Sequence, residues 1–483
     1  MAQKVIGRTA EMKALKSYLD SGESEFVALY GRRRVGKTFL VRMAAEDKFS
    51  FYVTGVHDAT KAEQLTAFAI AMQKYSGSER LNIQKNWILA FYELSRYLET
   101  LPEGKKVIFI DELPWMDTPK SGFIAALENF WNSWAALRDD VKLIVCGSAT
   151  SWMINNLIHS RGGLHNRLTH HLLLEPFCLR ECEEYFKEYG FSYSRKQIAE
   201  CYMVMGGIPY YMSMMDRSKS LAQNIDALFF SPNAELKDEF SDLYQALFKN
   251  AGPHIKVITA LSTKGIGLTR KEIIAVTGLT DNGAFSTVLE ELENCGFIRK
   301  YSPFGSNVSQ NRKRLDSSSL YQLIDFYTLF YFRFIEKNSY QDERFWTTSV
   351  NSPLHNIWCG ISFEMLCLCH LKQIKQALGI SGVQTLACSW RGKGDESKKG
   401  VQIDLLIDRK DETINLCEMK YSKDKFEISL AEEQRLSARL DTFRSETNTR
   451  KSVLLTLITA NGLKYNSHSD IVQNEVTLEE LFS

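Results

Sequence analysis

Short apolar runs alternate with longer stretches of helical periodicity along the first third of the chain. Residues 26–30, 106–110 and 141–147 are mostly apolar, and polar residues follow each run. Runs of this length predict buried strands, and the periodic stretch at 39–45 predicts the helix that follows the first of them. The alternation of strands and helices predicts an α/β fold for this part of the chain.

The middle of the chain reads as three helices followed by strands. Residues 254–263 are apolar-periodic, Thr269 is the predicted cap of a second periodic stretch at 270–276, and Thr280 is the predicted cap of a third at 282–294. A strand from residue 296 and a turn-rich segment at 303–306 complete an order that resembles a winged helix-turn-helix. The aromatic stretch 320–334 is shorter than the run of about 20 apolar residues that spans a bilayer, so we expect a buried aromatic helix there.

The charges of the third helix bear on whether this middle part binds DNA. The helix carries Glu290, Glu291 and Glu293 and no lysine or arginine, which would repel phosphates. Basic residues at 270, 271, 299 and 300 remain available for contacts with a nucleic-acid backbone. Two interpretations therefore stay open for this part, contact with DNA and packing or switching between domains.

Two strand-like runs near the carboxyl terminus, 401–408 and 414–421, flank a polar turn. A hairpin centred on Asp411 would place Asp404 opposite Glu418, and Lys420 would share the face of Glu418 because side chains alternate along a strand. Such a cluster suits Mg²⁺-dependent phosphodiester cleavage, with Asp404 and Glu418 as metal ligands and Lys420 stabilising negative charge or orienting water. Glu364, in an apolar helix at 363–369, is a candidate for a further metal ligand.

Composition narrows the class of protein. The chain has 483 residues, 44% hydrophobic and 24% charged, and at about 150 residues per domain this suggests roughly three globular domains. The formal net charge of +1 gives no global attraction to nucleic acid or anionic lipid. Ten cysteines without a CxxC pair, and an amino terminus without an apolar signal segment, predict a cytoplasmic protein without a membrane partner.

Residues 31–38, Gly-Arg-Arg-Arg-Val-Gly-Lys-Thr, match the GxxxxGK[ST] phosphate loop and lie between the first predicted strand and helix. The glycines let backbone N–H groups surround phosphate oxygens, and the helix amino terminus adds partial positive charge. Lys37 is expected to reach the β- and γ-phosphates, and the Thr38 hydroxyl is expected to ligate Mg²⁺. ATP and Mg²⁺ are therefore the predicted cofactors.

Two further apolar runs end in residues that complete such a site. Asp111 and Glu112 follow the second run, where Asp111 would hold Mg²⁺ through water and Glu112 would orient or deprotonate the attacking water. Ser148 follows the third run and would contact the γ-phosphate or the water, or would serve only as the amino-terminal cap of the next helix.

Four motifs in combination resemble the archaeal-type ATPases, which belong to the AAA+/STAND side of the P-loop class. They are the loop at 31–38, Asp-Glu-Leu-Pro-Trp at 111–115, Gly-Ser at 147–148 and Gly-Gly-Ile-Pro-Tyr-Tyr at 206–211. The resemblance implies a P-loop NTPase fold, a three-layer structure around a parallel sheet, with a helical lid. It covers about the first 230 residues.

The same resemblance suggests roles for individual residues. Arg167, which precedes a Leu-Glu-Pro-Phe segment at 174–177, is the arginine-finger candidate, although Asn166 replaces the glycine of the family pattern and Arg161 competes for the role. Tyr210 and Tyr211 would pack near the nucleotide, or the Gly-Gly-x-Pro segment is only a turn between helices. The residues predicted to bind nucleotide are Gly31, Arg32, Arg33, Arg34, Val35, Gly36, Lys37, Thr38, Ser148 and Arg167, the three loop arginines being alternatively solvent-facing or paired with a neighbouring domain.

Asp404, Glu418 and Lys420, after a helix that carries Glu364, resemble the PD-(D/E)XK nuclease superfamily and the uncharacterised domain commonly fused to archaeal-type ATPases. The resemblance implies a small α/β restriction-endonuclease-like domain over about residues 350–480, with Ile403 in place of the proline. An ordinary hairpin with a solvated charged face is the alternative. Lysines at 393, 398 and 399 would attract a phosphate backbone or form a solvated charge run.

The predicted domains are a P-loop ATPase core at 1–175, a helical lid at 176–250, a winged-helix-like part at 251–315, an aromatic helical linker at 316–350 and a nuclease-like domain at 351–483. The predicted function is a Mg²⁺-dependent AAA+/STAND ATPase whose nucleotide state controls a nuclease-like domain acting on nucleic acid. A nucleotide-dependent homo-oligomer is the expected assembly. The alternative is a nucleotide-switched regulatory or scaffold protein whose carboxyl-terminal domain binds a partner without catalysis.

Overall fold

The computed structural model describes residues 4–159, 166–248, 250–305, 319–336, 342–392 and 401–483. The chain forms two compact units. The first comprises Met1–Pro176, Ile208–Tyr210 and Asp242–Ala251, and the second comprises Phe177–Gly207, Tyr211–Ser241 and Gly252–Ser483. The finer division into five domains stays a prediction.

A five-stranded parallel sheet forms the centre of the first unit. Its strands are β1 (Glu25–Tyr30), β2 (Phe51–Thr54), β3 (Lys106–Asp111), β4 (Val141–Gly147) and β5 (His170–Leu173). They lie side by side in the order β2-β3-β4-β1-β5, and every neighbouring pair is parallel. The carboxyl ends of β1, β3 and β4 therefore meet at one edge, which brings together the polar residues that follow them.

Helices cover this sheet and complete its core. They are α1 (Thr9–Leu19), α2 (Lys37–Ala44), α3 (Lys61–Ser76), α4 (Trp87–Thr100), α5 (Leu113–Met116), α6 (Phe123–Ser133) and α7 (Thr150–Met153). Aromatic side chains of α3 and α4, Phe68 and Phe91 among them, pack with strand residues such as Phe26 and Ile108 in one buried cluster. The α/β fold with a parallel sheet, predicted from the alternation of apolar runs and helices, is confirmed.

Helices dominate the chain after the first sheet. They are α8 (Leu179–Glu188), α9 (Arg195–Met205), α10 (Pro209–Ser213), α11 (Leu221–Ile225), α12 (Glu239–Leu247), α13 (Ala251–Ser262), α14 (Arg270–Thr277), α15 (Gly283–Asn294), α16 (Phe326–Phe330), α17 (Phe345–Ser349), α18 (Pro353–Cys369), α19 (Leu371–Ala377) and α20 (Leu430–Thr447). No helix among the described residues is long and apolar enough to cross a membrane.

The middle of the chain contains a small antiparallel sheet in the second unit. Strands β6 (Leu268–Thr269), β7 (Ile298–Tyr301) and β8 (Leu320–Leu323) pair in the order β6-β8-β7. Thr269 caps α14 as predicted, since its hydroxyl accepts the N–H of Glu272. Thr280 is not the cap of α15, because the side chain of Asn282 accepts the N–H of Phe285 and starts the helix at residue 283.

The prediction of one aromatic helix at 320–334 is wrong for its first residues. Residues 320–323 form β8, whose backbone pairs with strands on both sides. Asp325 then caps α16 by accepting the N–H of Thr328, and a π-helical turn at Tyr331–Ile335 continues from it. Because residues 320–323 pair with β6 and β7, the helix begins at Phe326, six residues later than the aromatic stretch predicts.

The carboxyl-terminal part of the second unit contains a mixed five-stranded sheet with the order β15-β13-β11-β10-β9. Its strands are β9 (Thr385–Arg391), β10 (Gln402–Arg409), β11 (Thr413–Lys420), β13 (Ser452–Thr459) and β15 (Asn474–Thr477), while β12 (Phe426–Glu427) pairs with β14 (Leu463–Lys464). Strands β9, β10 and β11 are antiparallel, and β13 lies parallel to both β11 and β15. Leu436, Leu440 and Phe443 of α20 belong to the core of this sheet.

Candidate nucleotide and carboxylate sites

The phosphate loop lies between β1 and α2, as its sequence predicts. Gly31 has a φ of +138°, and a Cβ atom there would lie 2.3 Å from the carbonyl oxygen of Leu174, so only glycine fits. The buried Lys37 side chain points back over the loop, and its Nζ donates to the carbonyl oxygens of Gly31 and Arg32 at 2.9 Å each. The ammonium group therefore lies where the loop is predicted to hold phosphate.

Thr38 and Asp111 are brought together at the carboxyl edge of the sheet. The Thr38 hydroxyl donates to Asp111 Oδ2 at 2.9 Å, and Asp111 Oδ1 accepts the N–H of Glu112 at 3.0 Å. A hydroxyl and a carboxylate are hard oxygen ligands, and Mg²⁺ is commonly bound by one or two protein oxygens together with phosphates and waters. These two side chains therefore fit the magnesium ion of a Mg-ATP complex.

Sequence reasoning missed Cys146, which completes the surroundings of Asp111. Its buried thiol lies 2.6 Å from Asp111 Oδ1, and burial is the main reason that the pKa of this thiol is raised well above its ordinary value. The thiol is thus a neutral donor that helps to fix the carboxylate. Cys146 stands two residues before Ser148 on a neighbouring strand, a spacing that puts both on one face and was a usable signal.

Ser148 lies between the lysine and the acidic residue of this site. Its hydroxyl donates to Glu112 Oε1 at 2.5 Å, its backbone N–H donates to Glu112 Oε2 at 3.0 Å, and it accepts a hydrogen bond from Lys37 Nζ at 3.2 Å. The alternative role as a helix cap is not adopted, because Ala149 precedes α7 without a side-chain cap. Glu112 adopts a left-handed backbone conformation with φ 46°, which turns its carboxylate toward Ser148.

The three loop arginines have different surroundings within the first unit. Arg32 is buried, with 7% of its surface exposed, so the solvent-facing interpretation is wrong for it. Arg33 Nη1 lies 3.4 Å from the carbonyl oxygen of Asp242, and the Arg34 guanidinium lies 4.4 Å from the centre of the Tyr210 ring. Arg33 and Arg34 therefore connect the phosphate loop to the two later segments of the first unit, Ile208–Tyr210 and Asp242–Ala251.

The other residues predicted to lie near the nucleotide are in the phosphate loop, before β5 and in the second unit. Val35 and Gly36 lie in the loop, with Val35 buried. Arg167 is exposed and precedes β5, so its role as an arginine finger stays a prediction. Its competitor at position 161 lies outside the described residues. Tyr211 is buried in the second unit, where its hydroxyl donates to Glu239 Oε1 at 2.9 Å.

The carboxyl-terminal hairpin has the predicted register. Leu405 pairs with Cys417 in the antiparallel ladder of β10 and β11, which is the register that a turn centred on Asp411 predicts, and the paired residues end there, one step before Asp404 and Glu418. Lys420 Nζ lies 2.8 Å from Glu418 Oε1, as expected for side chains on one face of a strand. Glu418 and Lys420 are thus neighbours, and Asp404 lies close enough for its charge to act on the same Glu364 carboxyl as that of Glu418.

Glu364 joins this group from α18. Burial, and then the charges of Asp404 and Glu418, raise the pKa of Glu364 to about 7, while Lys420 opposes the shift. The helix begins ten residues before the predicted stretch, at Pro353 after the cap Ser352, so Glu364 lies in its second half rather than near its start. We call Glu364, Asp404, Glu418 and Lys420 the carboxylate site.

Two arginines that sequence reasoning missed also contact Glu418. Glu418 is 7% exposed, and its oxygens accept hydrogen bonds from Arg435 Nη2 at 3.0 Å and from Arg439 Nη1. Burial favours a higher pKa for Glu418, but the cations at Lys420, Arg439 and Arg435 hold that pKa below its ordinary value. Glu418 is therefore an ionised, internally paired carboxylate.

The donor set at this site suits Mg²⁺ only in part. Carboxylate oxygens are its preferred protein ligands, and two of them with water and substrate phosphate are sufficient. Among the residues that the structure describes, no group of three or more histidine, cysteine, aspartate or glutamate side chains is arranged to hold a metal ion. Asp404 and Glu418 thus fit Mg²⁺ as a pair, and Glu364 as a third ligand stays a prediction. Lysines 393, 398 and 399 lie outside the described residues.

Comparison with known proteins supports the nucleotide site. Residues 6–215 match a family described as an ATPase domain predominantly from Archaea. An uncharacterized protein of Methanocaldococcus jannaschii is 24% identical over 360 residues, which cover 74% of this chain and 75% of that protein. Residues 6–215 therefore match an archaeal-type ATPase domain, and this match together with the loop geometry supports an ATP-binding ATPase.

Two solved structures also align with part of this chain. The Walker-type ATPase of Pyrococcus abyssi aligns with a TM-score of 0.49 and 17% identity over 68% of this chain and 96% of its own. The ORC2 protein of Aeropyrum pernix, in ADPNP and ADP complexes, aligns with a TM-score of 0.34 and 14% identity over 67% of this chain and 91% of its own.

Proposed function

We propose that this protein is a Mg²⁺-dependent ATPase of the AAA+/STAND type whose nucleotide state controls a nuclease-like site in the second unit. The observation that carries the proposal is the grouping of Asp404, Glu418 and Lys420. Glu364 lies close enough for the charges of these three residues to change its pKa. Four chemically matched side chains from one helix and two strands are a stronger signal than a solvated hairpin face, which has no reason to bury Glu418.

At the nucleotide site, each residue has a distinct task. Lys37 would exchange its bonds to loop carbonyls for bonds to the β- and γ-phosphates, and Thr38 and Asp111 would hold the magnesium ion. When bound, Mg²⁺ neutralises the charge that develops on the phosphates during transfer. Glu112 would orient the attacking water, with Ser148 fixing the direction of its carboxylate. The exposed Arg167 is proposed to act from a neighbouring subunit of a nucleotide-dependent oligomer.

At the carboxylate site, Asp404 and Glu418 would hold the magnesium ion that supplies charge neutralisation and an acidified water. Lys420 lies beside Glu418 and would stabilise the negative charge that grows on a phosphodiester during attack. The substrate would be nucleic acid, because carboxylates that hold Mg²⁺ beside a lysine match the needs of phosphodiester hydrolysis rather than of an uncharged bond.

Contacts within the second unit support a route for control. The Tyr421 hydroxyl, next to Lys420, donates to Glu200 of α9 at 2.6 Å. Helix α9 ends at Gly206, and the chain passes through Gly207 before it reaches Tyr210 in the first unit, where that ring lies under Arg34 of the phosphate loop. A change at the loop therefore has a route from Tyr210 along the chain to α9, and from α9 through the hydrogen bond of Tyr421 to the end of the strand that carries Lys420.

The winged-helix-like part supplies a second proposed link. Helices α13 to α15 followed by strand β7 are consistent with a winged helix-turn-helix, and β6 and β8, which were not predicted, join β7 in a small sheet that supports this proposal. Beyond β7, the N–H of Phe304 donates to the carbonyl oxygen of Ser389 in β9 at 2.7 Å, and its ring packs on Phe443. We propose that this part transmits changes to the nuclease-like sheet rather than reading DNA through α15.

The nucleotide part is tested by ATP binding and hydrolysis in Lys37→Ala, measured by calorimetry and phosphate release. Loss of the only loop lysine removes a cation from the β- and γ-phosphates, so binding should weaken and hydrolysis should stop. Lys13→Ala, at a lysine outside the loop, serves as the control. ATP binding by Lys37→Ala as tight as that of the wild type would reject this part.

The nuclease part makes a separate demand. Cleavage of labelled single-stranded and duplex DNA and RNA with Mg²⁺, with and without ATP, should disappear in Asp404→Ala and in Lys420→Ala. The exposed Asp424→Ala and Lys425→Ala remove the same charges nearby and should retain activity. Cleavage that survives both site substitutions would exclude the carboxylate site as its origin, and equal cleavage with and without ATP would exclude nucleotide control.

A second candidate function rests on the pairing of Glu418. Its carboxylate already faces Lys420, Arg435 and Arg439, which suits a binding module without catalysis as well as a metal site. In that case the protein is a nucleotide-switched regulator or scaffold. Size-exclusion chromatography with and without ATP, together with cleavage assays, separates the two: an assembly that does not respond to ATP and cleaves no substrate favours the second candidate.

A further inference from the structure

Helix α20 presents two arginines to the carboxylate site. Arg435 and Arg439 are four residues apart and therefore lie on one face of the helix. Arg435 Nη2 contacts Glu418 Oε1 at 3.0 Å, and Arg439 Nη1 contacts the other oxygen of the same carboxylate. The adjoining face, with Leu436 and Leu440, is buried in the sheet core, so packing fixes the direction of both arginines.

The charges around Glu418 do not cancel in pairs. Three cations, Lys420, Arg435 and Arg439, face two carboxylates, Glu418 and Glu432. One cation is enough to compensate one buried carboxylate, and Lys420 Nζ already lies 2.8 Å from Glu418 Oε1. The two arginines are therefore not needed for that purpose. With Asp404 and Glu364 included, four carboxylates face these three cations, and a divalent metal ion held by Asp404 and Glu418 would turn that balance into a net positive charge that suits a phosphodiester.

Both arginines retain the means to bind another acceptor. Their side chains are 41% and 20% exposed, respectively, whereas Glu418 is nearly covered. Within the described part of the chain, Arg439 makes its hydrogen bond through Nη1, so Nε and Nη2 remain available. A guanidinium group offers five N–H donors in a planar fork that matches two phosphate oxygens, and it stays charged at every physiological pH.

We propose that Arg435 and Arg439 form a phosphate-binding arm that holds a backbone phosphodiester of nucleic acid beside Lys420. The inference rests on the proposed nuclease-like function and adds substrate-binding residues to it. When Glu418 ligates a metal ion, its negative charge is shared, and the two guanidinium groups turn their free donors to the phosphate oxygens. Phosphodiester recognition at this face thus needs no basic surface elsewhere, which agrees with the net charge of +1.

Binding in the absence of cleavage tests the arm directly. Fluorescence anisotropy of labelled single-stranded and duplex oligonucleotides, with Ca²⁺ in place of Mg²⁺ to occupy the metal site without cleavage and without ATP, would compare the full-length wild type with Arg439→Gln and Arg435→Gln. Loss of one charge-assisted phosphate contact should weaken binding about tenfold and lower the salt dependence by about one released ion. Arg439→Lys keeps the charge without the fork and should recover part of the affinity.

Arg444→Gln is the matched control. This exposed arginine lies on the same helix and donates to the carbonyl oxygen of Val453 at 3.2 Å, so its loss removes an equal charge away from the site. Melting temperatures of all variants show whether they fold. If Arg439→Gln does not fold because Glu418 loses a partner, Arg435→Gln and Arg439→Lys provide the same comparison.

The outcomes separate this inference from the proposed function. Binding that depends on the two arginines, in a wild type that cleaves no nucleic acid, supports the arm and rejects nuclease activity. Cleavage by the wild type with unchanged oligonucleotide affinity and salt dependence in both glutamine variants rejects the arm and keeps the nuclease. Wild-type protein that binds no oligonucleotide, or whose bound oligonucleotide is displaced equally by inorganic phosphate, also overturns the assignment to nucleic acid.

Discussion

Replacing Ser148 with alanine should slow ATP hydrolysis while leaving ATP binding nearly intact. The substitution removes a hydroxyl that donates to Glu112 Oε1 and accepts from Lys37 Nζ, and it keeps the backbone N–H that donates to Glu112 Oε2. Glu112 therefore keeps one of its two bonds to this residue. Lys37 keeps both loop carbonyls as acceptors.

The size of the effect follows from these contacts. A hydrogen bond to a charged group contributes about 1.5–3 kcal/mol net, and the Ser148 hydroxyl at 2.5 Å is well placed to reach that range. If this bond directs Glu112 toward the attacking water in the transition state, kcat should fall by roughly 10- to 150-fold. The dissociation constant of ATP should change less than about threefold, because the phosphates are bound by the loop and by Lys37.

Steady-state phosphate release and equilibrium binding of a fluorescent ATP analogue measure the two quantities separately. Ser24→Ala is the control, since that hydroxyl accepts the N–H of Val141 at the opposite end of β4 and has no part in the site. An unchanged kcat in Ser148→Ala would refute the role of this hydroxyl in directing Glu112. A loss of ATP binding as large as the loss of kcat would show that Ser148 holds the lysine rather than the acid.

Three further predictions concern stability. Gly31→Ala should unfold or empty the phosphate loop, because its Cβ would lie 2.3 Å from a carbonyl oxygen at a φ of +138°, whereas Gly22→Ala, with nothing within 4 Å, should melt like the wild type. Burial lowers the pKa of His370 to about 4, so the neutral imidazole contributes fully to the free energy of unfolding above pH 6.5. Between pH 6.5 and pH 4 the unfolded state gains the proton first, so the free energy of unfolding should fall by about 2–3 kcal/mol in urea titrations. His370→Gln should not show this loss. Asp226 accepts two backbone N–H groups at the start of α17, at 2.7 and 3.0 Å, so Asp226→Ala should lower stability by about 1–3 kcal/mol in urea, and Asp226→Asn by less.

Local rules made the hairpin predictable. An antiparallel pair joined by a short polar turn has a register that the turn position fixes, and side-chain alternation then places Lys420 beside Glu418. The phosphate loop was predictable for a similar reason, since Gly31, Lys37 and Thr38 act within one strand, loop and helix. Both predictions needed only the relation of residues close in sequence, and the described ladder of β10 and β11 agrees with the first.

Contacts between elements that are distant in the sequence could not be predicted from it. Arg435 and Arg439 meet Glu418 only because α20 packs on the sheet through its apolar face, and their charges look like ordinary surface charges in the sequence. The strand at 320–323 escaped prediction because its aromatic residues suit a helix and a strand equally, and pairing with two other strands decided between them. The contact of Cys146 with Asp111 depends on the pairing of β4 with β3, although the spacing of Cys146 from Ser148 already placed both on one face in the sequence.

Charged side chains at both candidate sites already have hydrogen-bond partners within the chain, and a substrate must replace some of these partners when it binds. Lys37 donates to loop carbonyls, Glu112 accepts from Ser148, and Glu418 accepts from Arg439, so a phosphate that binds must replace partners rather than meet bare charges. Buried charges without partners would cost several kcal/mol each, so this arrangement preserves the fold. The exchange also favours ligands that offer as many acceptors as they displace, because fewer would leave a donor or a charge unpaired. A triphosphate meets that condition at the loop and a phosphodiester with its metal ion meets it at Glu418, whereas a simple chloride or carboxylate does not.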